Sequence, residues 1–116
     1  MTVDGVGSTW TNNGELFVGA PDGVGMLMIT GGGAVSNTNG FIAFGDETHH
    51  PTGSVDIEGA ASTWTNSGNL YIGGSESGAG GNGVLHINDG GSVSAASVTV
   101  WDSGTLSGNG SAQATN

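Results

Sequence analysis

The pentapeptide STWTN occurs twice, at residues 8–12 and 62–66, and its surroundings repeat with it. Val3-Asp4-Gly5 precedes the first copy and Ile57-Glu58-Gly59 the second. Downstream, residues 13–19 (NGELFVG) match residues 67–73 (SGNLYIG), and residues 26–36 (MLMITGGGAVS) match residues 84–94 (VLHINDGGSVS). Apolar positions stay apolar and glycines are kept, while the extra length falls in the glycine-rich stretch 73–83. An internal repeat of this kind constrains the fold more than any local propensity, because like residues must be placed in like environments.

The repeat divides further. Stepping along the chain, Val3, Ile29, Ile57 and Ile87 form one column, and Trp10, Val35, Trp64 and Val93 a second. A third sets Leu16 and Val18 on Ile42 and Phe44, then on Leu70 and Ile72, then on Val98 and Val100. Within each unit the apolar residues alternate in short runs such as Leu27-x-Ile29 and Leu85-x-Ile87, the mark of strands with one buried face. Gly, Ser, Thr and Asn make up over half the chain, so helix is disfavoured throughout. The apolar share of 34% is low enough to raise the question of disorder, but a disordered chain has no reason to keep this register. Units of about 26–30 residues with three short strands each predict an all-β parallel β-helix, its coils stacked ~4.8 Å apart. We read residues 1–116 as one β-solenoid segment, with coils at 1–25, 26–53, 54–83 and 84–103 and a partial coil at 104–116.

In this register Trp10 and Trp64 face inward on alternate coils with the slimmer Val35 and Val93 between them. Two residues beyond lie Asn12, Asn37 and Asn66, a turn ladder whose side chains are expected to bond from coil to coil. The pentapeptide is thus a packing and turn device.

VDGVGSTWTNNGELFVG and IEGAASTWTNSGNLYIG, each followed by an LxI-x-x-GG-x-VS segment, resemble the repeat of type V secretion autotransporter passengers and PEP-CTERM-associated surface proteins. Residues 97–111 (SVTVWDSGTLSGNGS) are similar to the autotransporter-associated strand motif. The resemblance covers nearly the whole chain. It implies a right-handed parallel β-helix, secreted or at the cell surface, that serves as a stalk or display surface. The family motif supplies no catalytic residue, so no catalytic, metal or cofactor-binding role is carried over, and no cofactor is expected.

There is no Lys or Arg, and the formal net charge is −10. Such a chain cannot neutralise phosphate, which excludes conventional nucleic-acid binding, and it has nothing to attract it to an anionic membrane. No stretch suits membrane insertion, no cysteine suggests a disulfide framework, and residues 1–4 lack the character of a signal peptide. The expectation is an excised segment of a larger exported protein, with a complete small protein as the alternative. Its expected partners are neighbouring repeats or further copies stacked end to end, with surface glycans as an additional ligand class.

Four constellations could carry chemistry. Asp56 and Glu58 flank Ile57 and point outward ~7 Å apart, near the separation found in inverting glycosidases. A solvated strand face is the plainer reading, leaving a carbohydrate-active or carbohydrate-binding β-helix as the alternative. Asp46, Glu47, His49 and His50 share the loop 45–53 and could hold a metal adventitiously, but adjacent histidines on a loop rarely converge. GGNGVLHIND (residues 80–89) lacks the Asp a calcium-binding nonapeptide needs, since Leu85 stands there. The outward pairs Thr9/Thr11 and Thr63/Thr65 alternate with Ala34/Ser36 and Ser92/Ser94, a pattern that makes ice binding a minor alternative. Outward Phe17 and Tyr71 offer rings for sugar stacking.

Overall fold

The computed structural model describes residues 2–19, 24–45, 51–75, 78 and 80–114. Among these residues there are fourteen strands, numbered in chain order, and no helix. Three parallel sheets contain them all. Sheet A is built from β1 (Thr2–Asp4), β4 (Val24–Thr30), β7 (Thr52–Glu58), β10 (Asn82–Asn88) and β13 (Gly104–Ser107). Sheet B is built from β2 (Thr9–Thr11), β5 (Ala34–Asn37), β8 (Thr63–Asn66), β11 (Ser92–Ala95) and β14 (Ser111–Ala114). Sheet C has β3 (Leu16–Val18), β6 (Gly40–Ile42), β9 (Asn69–Ile72) and β12 (Ser97–Val100). The chain visits A, B and C in turn and returns to A one strand spacing along, which is a parallel β-solenoid.

Two columns expected from the sequence are register partners throughout. Val3 lies opposite Ile29, Ile29 opposite Ile57, and Ile57 opposite Ile87. Trp10, Val35, Trp64 and Val93 form the corresponding series in sheet B, continued by Ala112. The interior also takes Leu16, Val18, Leu27, Ile42, Val55, Leu70, Ile72, Leu85 and Ala95. Trp10 and Val98 are half-buried against it because they sit near the two ends of the stack, where one side has no further coil among the described residues.

The third column needs correction. Leu16 pairs with Gly40 rather than Ile42, and Val18 pairs with Ile42 rather than Phe44. Gly40 and Ile42 then pair with Leu70 and Ile72. The reason is the size of Trp64. A Cβ built on Gly40 would lie 2.5 Å from Asn66 Oδ1, 2.9 Å from the indole Cζ2 of Trp64 and 3.0 Å from Leu70 Cδ1, so the indole and the buried Asn66 amide beside it occupy the space an inward side chain would use. Phe44 lies beyond β6 and is half-buried outside the core. Val100 pairs with Ile72 as expected but is 44% exposed, because β12 is the outermost strand of sheet C.

A second close approach explains a glycine column. Gly25, Gly53, Gly83 and Gly104 are aligned in sheet A, the first three each two residues before the first core residue of their strands, Leu27, Val55 and Leu85, and Gly104 two before the exposed Leu106. Here the start of a sheet A strand passes against the end of a sheet C strand. A Cβ on Gly83 would meet Gly73 N at 2.6 Å and Ile42 O at 2.7 Å, and one on Gly53 would meet the Val18 carbonyl and Ala43 N. Backbone cannot move aside as a side chain can, so only glycine closes this corner.

Candidate functional site

Each sheet turns one face outward, and the outermost strands have edges unpaired among the described residues. These are the surfaces on which any function must be built.

On sheet A, Asp56 and Glu58 do flank buried Ile57 and point away from the core. Asp56 lies opposite Met28 and His86, and Glu58 opposite Thr30 and Asn88. The row therefore runs Met28, Asp56, His86, Ser107, with the Ser107 hydroxyl 2.6 Å from His86 Nδ1. A hydroxyl paired with an imidazole is a familiar element of nucleophilic sites. Here, however, no ion pair joins Asp56 to His86 among the described residues, and the two acids lie on the outward face of a strand, with Glu58 exposed. Farther along the same face, Thr30 Oγ1 donates to Asp4 Oδ1 at 2.8 Å. No group of three or more His, Cys, Asp or Glu side chains suited to a metal occurs among the described residues. Asp46, Glu47, His49 and His50 lie outside the described residues.

The outer face of sheet B carries Thr9, Thr11, Ala34, Ser36, Thr63, Thr65, Ser92, Ser94, Ser111 and Gln113 without a single charge. At its edge a depression of about 270 Å³ is lined by Thr11, Asn12, Ser36, Asn37, Thr65 and Ser67, among others. Behind this depression is a polar chain that sequence reasoning only half anticipated. Trp64 Nε1 donates to Asn37 Oδ1 at 2.6 Å, Asn37 Nδ2 donates to Asn66 Oδ1 at 2.7 Å, and Asn66 Nδ2 donates to the Ser94 carbonyl at 3.2 Å. Asn37 and Asn66 are buried, which suits side chains bonded from coil to coil. Asn12 does not join them. Its side chain instead accepts from Gly14 N and donates to the Glu15 carbonyl, holding its own longer turn.

Sheet C presents an aromatic stack. Phe17 and Phe41 lie 4.9 Å apart at 8°, and Phe41 and Tyr71 5.2 Å apart at 16°. Phe44 meets Phe17 and Phe41 edge-on, each at 5.1 Å. The rings spend their faces on one another, so Phe41 is buried although it points outward, and Phe17 at the end of the stack remains 41% exposed. Sugar stacking uses a free ring face, which leaves far less platform than two isolated outward rings would. The Tyr71 hydroxyl is engaged as well, accepting from Asn69 Nδ2 at 3.1 Å. The signal for Phe41 was present in the sequence: Phe17 and Tyr71 are themselves outward, and Phe41 falls between them once Gly40 is allowed to face the core.

Among the described residues, the outermost strands are β1, β2 and β3 at one end and β12, β13 and β14 at the other. Beside the first, a depression of about 120 Å³ is lined by Trp10, Leu16, Phe17, Val18, Met26 and Leu27, among others. Beside the second, Val100 and Leu106 are 44% and 39% exposed. Both ends therefore combine strand edges that have no partner among the described residues with apolar side chains. No helix among the described residues is long and apolar enough to cross a membrane. Searches of protein-family models, of curated proteins and of solved structures found no match to this chain.

Proposed function

We infer that the chain is a non-enzymatic structural and adhesive segment of an exported or cell-surface protein. It acts as a stiff stalk or display surface whose ends meet further coils, whether neighbouring repeats of a longer chain or a second copy. The observation that carries this reading is the parallel pairing that runs from strand to strand in all three sheets as far as the outermost described strands. The residue that begins the sheet B series, Trp10, has in Trp64 a near copy that is covered on both sides by Val35 and Val93. The outer side of Trp10 is thus shaped for a coil like the one bearing Val35. Resemblance of the repeats to autotransporter passengers and PEP-CTERM-associated proteins supports placement outside the cell. The absence of basic side chains supports partners other than nucleic acid or anionic lipid.

Sedimentation over a wide concentration range, at low and high salt, tests the reading. Association should grow with concentration, and more strongly at high salt, because added ions screen the −10 charge. A stable monomer under every condition would contradict it. A carbohydrate-binding or carbohydrate-active protein on the same fold is the competing proposal, favoured by outward Asp56, Glu58 and exposed Phe17. Glycan binding that is lost on Phe17→Ala would support that alternative. Ice binding through the uncharged Thr and Ser face is a lesser proposal of the same kind.

A further inference from the structure

The outward residues of sheet B fall into two rows, and one row crosses the depression at the edge of the sheet. Thr11 lies opposite Ser36 and Ser36 opposite Thr65, so three hydroxyls stand in line along the stacking axis, about 4.8 Å apart. We propose that this depression binds a neutral, extended oligosaccharide whose chain runs along the hydroxyl ladder.

The lining selects the ligand class. The depression of about 270 Å³ is lined only by Thr, Ser and Asn. With no Lys or Arg in the chain and a net charge of −10, an anionic ligand meets repulsion and finds no partner. A metal ion finds no carboxylate in the lining, and Glu15, on the neighbouring turn, already accepts from Asn39 Nδ2 at 3.3 Å. No aromatic or long aliphatic side chain is there to hold an apolar molecule. A peptide strand adds to a sheet edge through its backbone, whereas this surface is made by side chains on the outside of three successive coils. A ligand rich in uncharged donors and acceptors fits, and a sugar is such a molecule.

The groups it needs are available, and the floor beneath them is held. The side-chain hydroxyls of Thr11, Ser36, Thr38 and Thr65 bond to no other protein group among the described residues. The amides behind them are committed, Asn37 to Trp64 and Asn66, and Asn12 to Gly14 and Glu15. Hydroxyls both donate and accept, as those of a sugar do, so water in the depression can be replaced bond for bond. A floor fixed in this way leaves little to be ordered on binding. The spacing favours an all-equatorial chain such as a β-1,4-linked glucan. Such a chain advances by nearly one strand spacing per sugar and so sets a hydroxyl edge against each successive coil.

The inference rests on the display-surface part of the reading above and deepens it by naming a ligand class. It owes nothing to end stacking, because the depression is on the side of the solenoid. It also lies on a different sheet from Phe17, Asp56 and Glu58.

The test titrates the full chain with cellopentaose and follows backbone amide shifts by NMR. Saturable shifts should centre on Thr11, Ser36, Thr38 and Thr65, with a Kd of about 1 mM, the strength of three or four net hydrogen bonds. Ser36→Ala should weaken binding about two- to tenfold, the share of one such bond. Thr11→Val, Ser36→Ala and Thr65→Val together should abolish it. None of the three residues is buried, so the combined variant should keep the thermal unfolding curve of the parent chain. The same glucan oxidised to carboxylates at C6 should not bind, and Phe17→Ala should change nothing.

Absence of saturable shifts about tenfold above that concentration would overturn the proposal. So would shifts centred on Phe17 and Tyr71, or equal binding by the combined variant or of the oxidised glucan. If copies stay monomeric yet the sugar binds, the ladder site stands and end stacking falls. If copies stack and no sugar binds, the reverse holds.

Discussion

Replacing Asn37 by alanine tests the interior of the solenoid more sharply than any apolar truncation. Asn37 is 5% exposed, accepts from Trp64 Nε1 at 2.6 Å and donates to Asn66 Oδ1 at 2.7 Å. Alanine leaves both partners buried without a bond. A buried polar group stranded in this way costs about 1–3 kcal/mol, so two cost about 2–6 kcal/mol. Water can reach the site from the adjoining depression of about 270 Å³, which places the expected loss in the lower half, about 2–4 kcal/mol. With a urea m-value of about 2 kcal/mol/M, the unfolding midpoint should fall by about 1–2 M. Asn12→Ala removes two bonds as well, but both are exposed, and about 1 kcal/mol or less is expected. A cycle with Trp64→Phe isolates the indole bond: phenylalanine has no N–H to strand, so Asn37→Ala should cost about 1–3 kcal/mol less in that background. Equal costs for Asn37→Ala and Asn12→Ala, or a cost unchanged by Trp64→Phe, would refute the polar chain as a stabilising element.

Other substitutions probe other parts of the stack. Trp64→Ala should cost about 3–5 kcal/mol, while Trp10→Ala should cost clearly less because Trp10 is half-buried; equal thermal shifts would contradict the register. Gly53→Ala should destabilise by at least about 1–3 kcal/mol, since the methyl meets the backbone of Val18 and Ala43, and an unchanged melting temperature would show that this corner can open. Asp56→Asn combined with Glu58→Gln should leave function unaltered. A sugar-cleaving activity that disappears in this double variant would overturn the non-enzymatic reading.

Sheets A and B were legible in the sequence because two signals coincide there. Period-two alternation gives the buried face, and near identity between coils gives the register, as in Val3/Ile29/Ile57/Ile87. Sheet C was less legible for a local reason. Residues 40–44 (GFIAF) offer two alternating pairs, Gly40/Ile42 and Ile42/Phe44, and apolar content favours the second. The fold uses the first, because the Trp64 indole on the next coil fills the place beside Gly40 and because Phe41 completes the stack with Phe17 and Tyr71. Compensation of size between coils is a tertiary effect that no pattern along one strand reports. Val100 shows the complementary limit: its column was read correctly, but burial depends on whether another strand covers it. The outward faces were largely legible, including Asp56/Glu58 and the Thr pairs, since orientation follows directly from the inward columns. The His86–Ser107 contact was not, because it joins strands whose separation is set by the shorter last coil.

In the proposed assembly, coils continue across molecular ends. Small-angle scattering on the associated species tests this most directly, because stacking and lateral association change different dimensions. Sheet A holds five strands, so each added copy should lengthen the particle by about 24 Å along the stacking axis and leave its cross-section unchanged. Growth of the cross-section at constant axial length would mean that the copies meet side by side, and the stacked-end account would be wrong.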